Sequence, residues 1–402
     1  MATLPLEGYR VIDLGQVWVG PMLGHYLADY GAEVIRVDTA RRQKMTAGGR
    51  RPAAGPTDPM SFQNYGRNKL SVTLDLTKAR GQELFKEIVK VSDIVFDNFS
   101  PRVMKRFGLD YEALRQVKPD IIVASLSAVG QDGPWWDILT YGPSLAALYG
   151  IKSHLGYHGE EKVQEDLADL DPTAATYAFF AVLAALEYRE RSGKGQFIDL
   201  AQGEAALCSF GESVLECTMS GHVLGRQGNR YPGMAPHGIY RCGGDDKWVS
   251  IAVKTEEEWN GLCQALGKPP WSSDERFADL YQRLNHQDEL DDLIEEWTMQ
   301  RTHKEVTELL QSHGVAAFPI FNAEDLFLNA HCEYRRSMVT VEHPNFSPAE
   351  AVYGIPWKLS ETPGSIRQPN PSPGSHNDYV LGKLLGMSSR QIKGLVDEEV
   401  IC

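Results

Sequence analysis

The 402-residue sequence is poor in the features that mark disulfide-rich, metal-binding and membrane proteins. It contains six cysteines, and no two of them form a CxxC or another close pair, so a disulfide framework is not expected. The eleven histidines show no HxH or HExxH spacing, which argues against a metal site. No uninterrupted apolar run approaches the ~20 residues needed to span a bilayer, and the first residues lack the basic start of a signal peptide. We therefore expect a cytoplasmic protein that binds no metal and no membrane.

Positive charge is also scarce. The 54 acidic residues outnumber the 40 basic ones and leave a formal net charge of −14. A nucleic-acid-binding protein needs a basic face that displaces counterions, so we expect no nucleic-acid partner. A local cationic pocket for a phosphorylated small molecule stays compatible with this total. The arginine pairs at residues 41–42 and 50–51 are interpreted as solvated loop charges in preference to such a pocket.

The first half of the chain alternates between strand-like and helix-like segments. A strand over residues 9–14, a helix over 22–30 and a strand over 33–38 form a predicted βαβ unit. The alternation continues with strands over 70–76, 94–96 and 121–125 and helices over 78–91 and 111–117. Strands that alternate with helices predict a parallel sheet covered on both faces. We therefore predict an α/β fold with a large domain of Rossmann type.

The composition changes about halfway along the chain and again near its end. From about residue 225 the segments become strongly charged and mostly helical, and the C-terminal region is rich in proline, which favours extended segments. We expect residues 1–200 to form the N-terminal part of the large domain, with a linker over 201–224. A small α+β domain is expected over 225–325, and a linker with a C-terminal return to the large domain over 326–402.

The turn after the first strand carries three glycines, as dinucleotide-binding folds do. Gly15, Gly20 and Gly24, however, do not match the GxGxxG spacing. Pro21 also has no N–H to offer a pyrophosphate at the start of the helix. The pattern therefore favours an ordinary turn between strand and helix over an NAD site.

An aspartate precedes the longest predicted helix, which covers residues 173–192. Asp171 is a favoured type of helix N-cap residue there, with Pro172 as the first helical residue. A helix N-terminus also favours the ionised carboxylate, which would leave Asp171 available as a nucleophile at neutral pH. Asp166 and Asp169 lie close by, and the residue pattern alone does not choose among the three.

Several segments, taken in order, resemble family III CoA-transferases over nearly the whole chain. They are residues 6–38, 64–76, 97–114 (beginning DNFSPR), 125–134, 171–205 (beginning DPTAATYAFF), 236–240 (PHGIY), 355–364 (IPWKLSETPG) and 369–387. Each segment is a weak signal by itself. Their joint order and spacing make the resemblance specific.

The resemblance implies a set of functional residues. The nucleophilic aspartate of that family stands fifteen positions ahead of the leucine that closes an ILAAL segment. Here the segment is VLAAL, which closes at Leu186 and selects Asp171. The resemblance further implies contacts to coenzyme A and a substrate pocket that includes Trp18 and Tyr141. The implied coenzyme A contacts are Gln16, Val17, Leu74, Asn98, Phe99 and Arg106.

The implied reaction transfers coenzyme A from an acyl-CoA donor to a carboxylic acid, through an aspartyl anhydride and an aspartyl-CoA thioester. Coenzyme A and acyl-CoA are substrates in this scheme, and no permanently bound cofactor is expected. The segments DPTAA, PHGIY and EEEW resemble members that use succinyl-CoA, benzylsuccinate CoA-transferase among them. The resemblance also implies an interlocked dimer of ring-like chains, either a homodimer or a heterodimer with a related subunit.

Two alternatives stay open at this stage. Ala175 replaces a glycine of the usual motif, Trp18 is bulkier than the residue some relatives carry, and Arg102 stands where a glycine often follows the proline. These departures keep open a non-catalytic, coenzyme A-binding subunit. Acyl-CoA racemases of the same fold need a histidine, which would align near Tyr141. Because tyrosine is a poor base at neutral pH, transfer is favoured over racemisation or isomerisation.

Overall fold

The computed structural model describes residues 4–38, 65–157, 170–343 and 346–402. The arginine-rich segment over residues 40–60, together with Asp166 and Asp169, lies outside the described residues. The chain divides into two compact units. The first comprises Met1–Ile151, Asp166–Gly221 and Arg336–Cys402, and the second comprises Lys152–Glu165 and His222–Arg335.

A six-stranded parallel sheet forms the centre of the first unit. Its strands are β1 (Arg10–Asp13), β2 (Glu33–Asp38), β3 (Leu70–Thr73), β4 (Ile94–Asp97), β5 (Ile122–Ser127) and β6 (Phe197–Ala201). The strand order is β3-β2-β1-β4-β5-β6, which is the order of a doubly wound sheet. All neighbouring strands are parallel. The predicted α/β fold with a central parallel sheet is thus confirmed.

Helices connect and cover these strands. They are α1 (Val19–Asp29), α2 (Ala79–Lys90), α3 (Arg102–Phe107), α4 (Tyr111–Val117), α5 (Gly142–Leu148), α6 (Ile151–His154), α7 (Leu170–Ser192), α8 (Gln202–Leu207) and α9 (Gly211–Ser220). Leu23 of α1 and Val182 of α7 contribute to the core on one face of the sheet. Phe85 of α2 and Leu114 of α4 contribute to the core on the other face.

The segment over residues 201–224, predicted as a linker, carries α8 and α9. Ala205 of α8 packs into the core of the first unit, which explains why this stretch folds as helix and is not an extended connection. The amino-acid composition of this segment, with its small residues, did not predict that packing. Residues 152–157, which were expected within the large domain, cluster with the second unit.

The second unit is built on a three-stranded antiparallel sheet. Its strands β7 (His237–Arg241), β8 (Trp248–Ala252) and β9 (Ala316–Ile320) are covered by helices around a separate hydrophobic core. The helices are α10 (Glu256–Ala265), α11 (Leu280–Asn285), α12 (Gln287–Thr298), α13 (His303–Ser312), α14 (Ala323–Phe327) and α15 (Ala330–Arg335), with 3-10 turns over Pro270–Ser273 and Glu275–Phe277.

The C-terminal residues return to the first unit. They form a hairpin of β10 (Met338–His343) and β11 (Phe346–Tyr353), a π-helix over Asp378–Leu384 and α16 (Ser389–Asp397). Val380 and Leu395 are buried in the same core as α2 and α4. Despite its prolines, this region therefore contributes packed secondary structure to the large sheet's covering layer.

A fully buried ion pair lies beneath the turn that follows β1. Lys69 Nζ is 2.7 Å from Asp13 Oδ2, and it also donates to the carbonyl oxygen of Pro21 at 2.8 Å. The other oxygen of Asp13 accepts the Gly15 N–H at 2.7 Å. A Cβ atom on Gly24 would lie 2.5 Å from Asp13 Oδ2 and 2.6 Å from Lys69 Nζ. Glycine in the middle of α1 is therefore required for the pair to fit against the helix.

Removal of one partner of this pair should destabilise the protein strongly. Lys69→Met leaves a buried, unpaired carboxylate, and we expect the free energy of unfolding to fall by about 3–5 kcal/mol. The double variant Lys69→Met/Asp13→Asn should recover part of this loss because no charge is left buried. Urea denaturation provides the measurement.

The exposed pair of Arg80 and Glu83 on α2 is the matched control. Arg80→Met should cost less than about 1 kcal/mol because an exposed ion pair is screened by water. Equal losses for Lys69→Met and Arg80→Met would contradict the role assigned to the buried pair.

Candidate functional site

Asp171 lies on the wall of a cavity of about 170 Å³ in the first unit. The structure places it within the first described turn of α7, and not at the N-cap position that the sequence suggested. Its carboxylate accepts a hydrogen bond from the backbone N–H of Val19, at the start of α1. Burial raises the pKa of Asp171, and this outweighs the lowering by the Val19 N–H. Desolvation is therefore the largest influence on the pKa of Asp171, and it opposes the effect expected of a helix N-terminus.

The cavity around Asp171 carries little other charge. Among the described residues that line it, Asp171 is the only charged side chain. The remaining wall combines backbone and neutral side chains. It includes Gln16, Val17 and Phe99, which the sequence analysis named as coenzyme A contacts. A carboxylate in such surroundings is less solvated than one at the protein surface.

The turn between β1 and α1 forms one wall of this cavity. Gly15 and Gly20 touch across the turn, and a Cβ atom on Gly20 would lie only 2.4 Å from the Cα of Gly15. Val17, at the tip, has a φ of 62°, which is a left-handed conformation that a β-branched residue rarely adopts. Such strain persists only where surrounding contacts hold it, and it is concentrated at functional sites.

Asn98 holds this turn in place. Its side-chain oxygen accepts the Gln16 N–H at 2.7 Å, and its side-chain nitrogen donates to the Gln16 carbonyl oxygen at 2.8 Å. The amide therefore pairs with the Gln16 backbone much as a neighbouring strand would. The sequence predicted Gln16 and Asn98 as ligand contacts, and both line the cavity. The structure adds that the Asn98 amide is already engaged in positioning the turn.

Asp97, which the sequence analysis did not single out, anchors the next turn. It ends β4 fully buried, and its two oxygens accept the Phe99 N–H at 3.0 Å and the Ser125 hydroxyl at 2.9 Å. Burial raises the pKa of Asp97 to about 6 in spite of these two donors. The available signal was an aspartate directly after the apolar strand residues Ile94-Val95-Phe96.

Tyr141 also lines the cavity, just before α5, and it is 73% exposed. The Tyr141 N–H donates to the Ser144 hydroxyl oxygen at 3.0 Å, which fixes the backbone at the entrance of the helix. Gln202, also on the wall, donates to the Leu126 carbonyl oxygen at 2.8 Å. Tyr141 is thus placed where a ligand in the cavity can meet it.

A second cavity, of about 670 Å³, adjoins the first and shares Pro101 and Trp136 with it. It holds the predicted Arg106 together with Arg102 and Lys105, all on α3. Acidic side chains line it as well, namely Asp110, Glu112 and Asp132. Asp110 accepts the Ala113 N–H at the start of α4, and Glu112 is paired with Arg115, so both serve local structure.

Two predicted contact residues lie elsewhere. Leu74 is fully buried in the core, and its N–H donates to the Asp38 carbonyl oxygen at 2.7 Å. Its side chain packs in the hydrophobic core, and a contact between Leu74 and coenzyme A stays a prediction. Trp18 is not among the residues that line the cavity around Asp171, and its ring packs against Tyr65 at a centroid distance of 6.2 Å.

Within the part of the chain that the structure describes, no cluster of histidine, cysteine, aspartate and glutamate side chains has a geometry that would hold a metal ion. No described helix combines the length and the apolar character needed to cross a membrane.

Comparison with known proteins adds an independent line of evidence. The family model of CoA-transferase family III matches residues 6–377. The chain is 34% identical over 398 residues to a succinyl-CoA–D-citramalate CoA-transferase from Chloroflexus aurantiacus, and the match covers 99% of this chain and 98% of that protein. It is 32% identical to the beta subunit of a succinyl-CoA–L-malate CoA-transferase from the same organism, with 99% and 98% covered. A solved CaiB/BaiF family protein from Brucella suis has a TM-score of 0.85 at 27% identity, and the match covers 95% of this chain and 100% of that one.

The raised pKa of Asp97 predicts a pH dependence of stability. A carboxyl group with a folded-state pKa of about 6, against its usual pKa of 3.8, stabilises the fold below pH 4 and loses that contribution as pH rises through 6. Asp97→Asn keeps one acceptor for Phe99 and one donor for Ser125 but does not titrate. We expect the wild type, measured relative to this variant, to lose roughly 1 kcal/mol of unfolding free energy between pH 5 and pH 8. Urea denaturation at both pH values measures this difference. An equal change in unfolding free energy for the two proteins between pH 5 and pH 8 would contradict this assignment.

Proposed function

The chain belongs to CoA-transferase family III, and on this premise we propose that it transfers coenzyme A from succinyl-CoA to a second carboxylic acid with Asp171 as the nucleophile. The observation that carries the proposal is the position of Asp171. Its carboxylate is the only charged side chain among the described residues that line its cavity. The strained turn around Val17 and the Val19 N–H lie beside it.

The proposed reaction begins with attack of an Asp171 oxygen on the thioester carbonyl of succinyl-CoA. The carbon–sulfur bond breaks, the coenzyme A thiolate leaves, and a mixed anhydride between Asp171 and succinate forms. The thiolate then attacks the aspartyl carbonyl, which releases succinate and gives an aspartyl-CoA thioester. The acceptor carboxylate repeats the two exchanges in the opposite sense and restores free Asp171. Each step exchanges one activated acyl group for another of comparable energy, so no ATP is consumed.

The surroundings of Asp171 suit this chemistry. An anhydride hydrolyses in water, and a small cavity with an otherwise uncharged wall limits access of water to the reacting carbonyl. Partial desolvation, which raises the pKa of Asp171, also strips water from the attacking oxygen. The Val19 N–H orients the carboxylate before substrate binds.

The second cavity provides room for the nucleotide end of the donor. Lys105 and Arg106 supply positive charge there, beside the acidic Asp110, Glu112 and Asp132, in a chain whose total charge is −14. Phosphate groups are recognised by such cations through charge-assisted hydrogen bonds. We place the nucleotide in the second cavity and the thioester beside Asp171, with the connecting arm between them.

Racemisation is the less favoured reaction. An acyl-CoA racemase needs a histidine base, and none of the described residues lining either cavity is a histidine. Tyr141, near which that histidine would align, lines the cavity around Asp171. A non-catalytic subunit is also less favoured, because the Asp171 carboxylate is present and accessible to the cavity.

We further propose that the protein acts as an interlocked dimer, as the family resemblance implies. Helix α9 buries none of its residues within the chain, although Leu215 and Met219 on it are apolar and exposed. Apolar side chains on an unpacked helix favour coverage by a second chain. One relative is named as a beta subunit, so a related partner chain is the alternative to a second copy.

Loss of Asp171 should abolish transfer. We expect Asp171→Ala to lower the rate of coenzyme A exchange between succinyl-CoA and an acceptor by at least ~10³-fold, because the nucleophile is removed. Wild-type protein incubated with succinyl-CoA and hydroxylamine should carry a hydroxamate on the peptide that contains Asp171, detected by mass spectrometry. Glu187→Gln, on the exposed face of the same helix, is the control and should leave both results unchanged. Substantial transfer by Asp171→Ala would overturn the proposed mechanism.

The names of the relatives predict the class of acceptor. Because two relatives are named for citramalate and malate, we expect a dicarboxylic acid to be the preferred acceptor here. A panel of monocarboxylic, dicarboxylic and aromatic acids, each assayed with succinyl-CoA, measures this preference as kcat/KM. A higher kcat/KM for acids with a single carboxylate would contradict the proposed acceptor class while leaving the role of Asp171 intact.

A further inference from the structure

The two cavities of the first unit meet at a narrow strip of the surface. Pro101 and Trp136 are the residues that line both of them. Any ligand that occupies both cavities at once must pass this strip. The indole of Trp136 is 38% exposed there, so part of its surface is available to a ligand.

Arg102 contacts the indole ring of Trp136. The Arg102 guanidinium carbon lies 5.3 Å from the centroid of the Trp136 ring, and the same guanidinium forms an ion pair with Asp137, the next residue along the chain. A cation over the face of an indole is attractive, and the ion pair restricts where that cation can lie. Each contact is weak at an exposed position, but both favour one orientation of the Trp136 ring.

The strip has the chemistry of a contact for a neutral linking arm. The cavity on one side supplies cations for phosphates, and the cavity on the other side supplies the Asp171 carboxylate. Between them, the indole offers an apolar face and one N–H donor, while Pro101 offers an apolar ring without a backbone N–H. A flexible arm that contains amide groups matches this combination better than a charged group does.

We propose that Trp136 is a specificity-determining residue that holds the linking arm of an acyl-CoA between the second cavity and Asp171. The inference rests on the proposed function and extends it to a residue outside the predicted contact set. Arg102 acts through Trp136 as a positioning residue. The proposal also gives a role to Arg102, which stands where a glycine often follows the proline in the family.

Trp135 offers a matched control. It is adjacent in sequence, it is 57% exposed, and it is absent from the described residues that line either cavity. Replacement of either tryptophan removes one partly exposed indole ring. Only replacement of Trp136 should affect a ligand that spans the two cavities.

Calorimetric titration with two ligands tests the proposal. Coenzyme A spans both cavities, whereas adenosine 3′,5′-bisphosphate has the nucleotide alone and no arm. We expect Trp136→Ala to weaken binding of coenzyme A about tenfold, the loss of one aromatic contact. Binding of adenosine 3′,5′-bisphosphate should change less than about threefold, and Trp135→Ala should leave both affinities unchanged.

Kinetics provide a second readout that a purely structural role would not produce. In Trp136→Ala the KM for succinyl-CoA should rise about tenfold while kcat stays within about threefold, and Trp136→Phe should recover most of the loss. Arg102→Met should raise KM in the same direction by a smaller factor.

Two outcomes would overturn the inference. Equal weakening of both ligands would assign Trp136 to the nucleotide site, and wild-type affinities in Trp136→Ala would remove it from the binding path. Failure of the proposed function looks different, because the wild-type protein would then show no transfer of coenzyme A, whatever its affinity for that ligand.

Discussion

The buried ion pair between Lys69 and Asp13 is the interaction on which the site depends. Its charges are completely removed from water, so each needs its partner and the surrounding backbone donors and acceptors. Those backbone partners are Gly15 and Pro21, the two ends of the turn that forms a wall of the cavity. The pair therefore stabilises the fold and the shape of the site through the same contacts.

Two further polar groups complete the support of this wall. Asn98 pairs with both backbone groups of Gln16, and the neighbouring Asp97 holds the Phe99 N–H. Both residues stand at or just beyond the carboxyl end of β4, where an open parallel sheet generally presents its ligand sites. The strained backbone of Val17 lies between these supports and Asp171. One turn of fixed backbone thus lines the same cavity as Asp171, and the cations Lys105 and Arg106 of α3 line the adjoining cavity.

Local patterns predicted much of the fold. The bounds of β2 and α4 agree with the predicted strand over 33–38 and helix over 111–117, since apolar spacing and end signals act over a few residues. Asp171, Gln16, Val17, Asn98, Phe99 and Tyr141, named from the family resemblance, line one cavity. Leu74 does not belong with them, because whether a residue that follows a strand faces core or ligand depends on packing. Helices α8 and α9 were missed for a similar reason, since their composition resembles that of a linker.

The sequence by itself determined the alternation of strands and helices, the scarcity of positive charge and, through its motifs, the family and its aspartate. Tertiary structure alone decided how that aspartate behaves. The raised pKa of Asp171 comes from burial, and its hydrogen bond comes from Val19, a residue far away in sequence. The engagement of Asn98 by Gln16 and the meeting of two cavities at Trp136 also join distant segments. Desolvation and hydrogen bonding depend on which atoms are neighbours in space, and a linear pattern does not specify those neighbours.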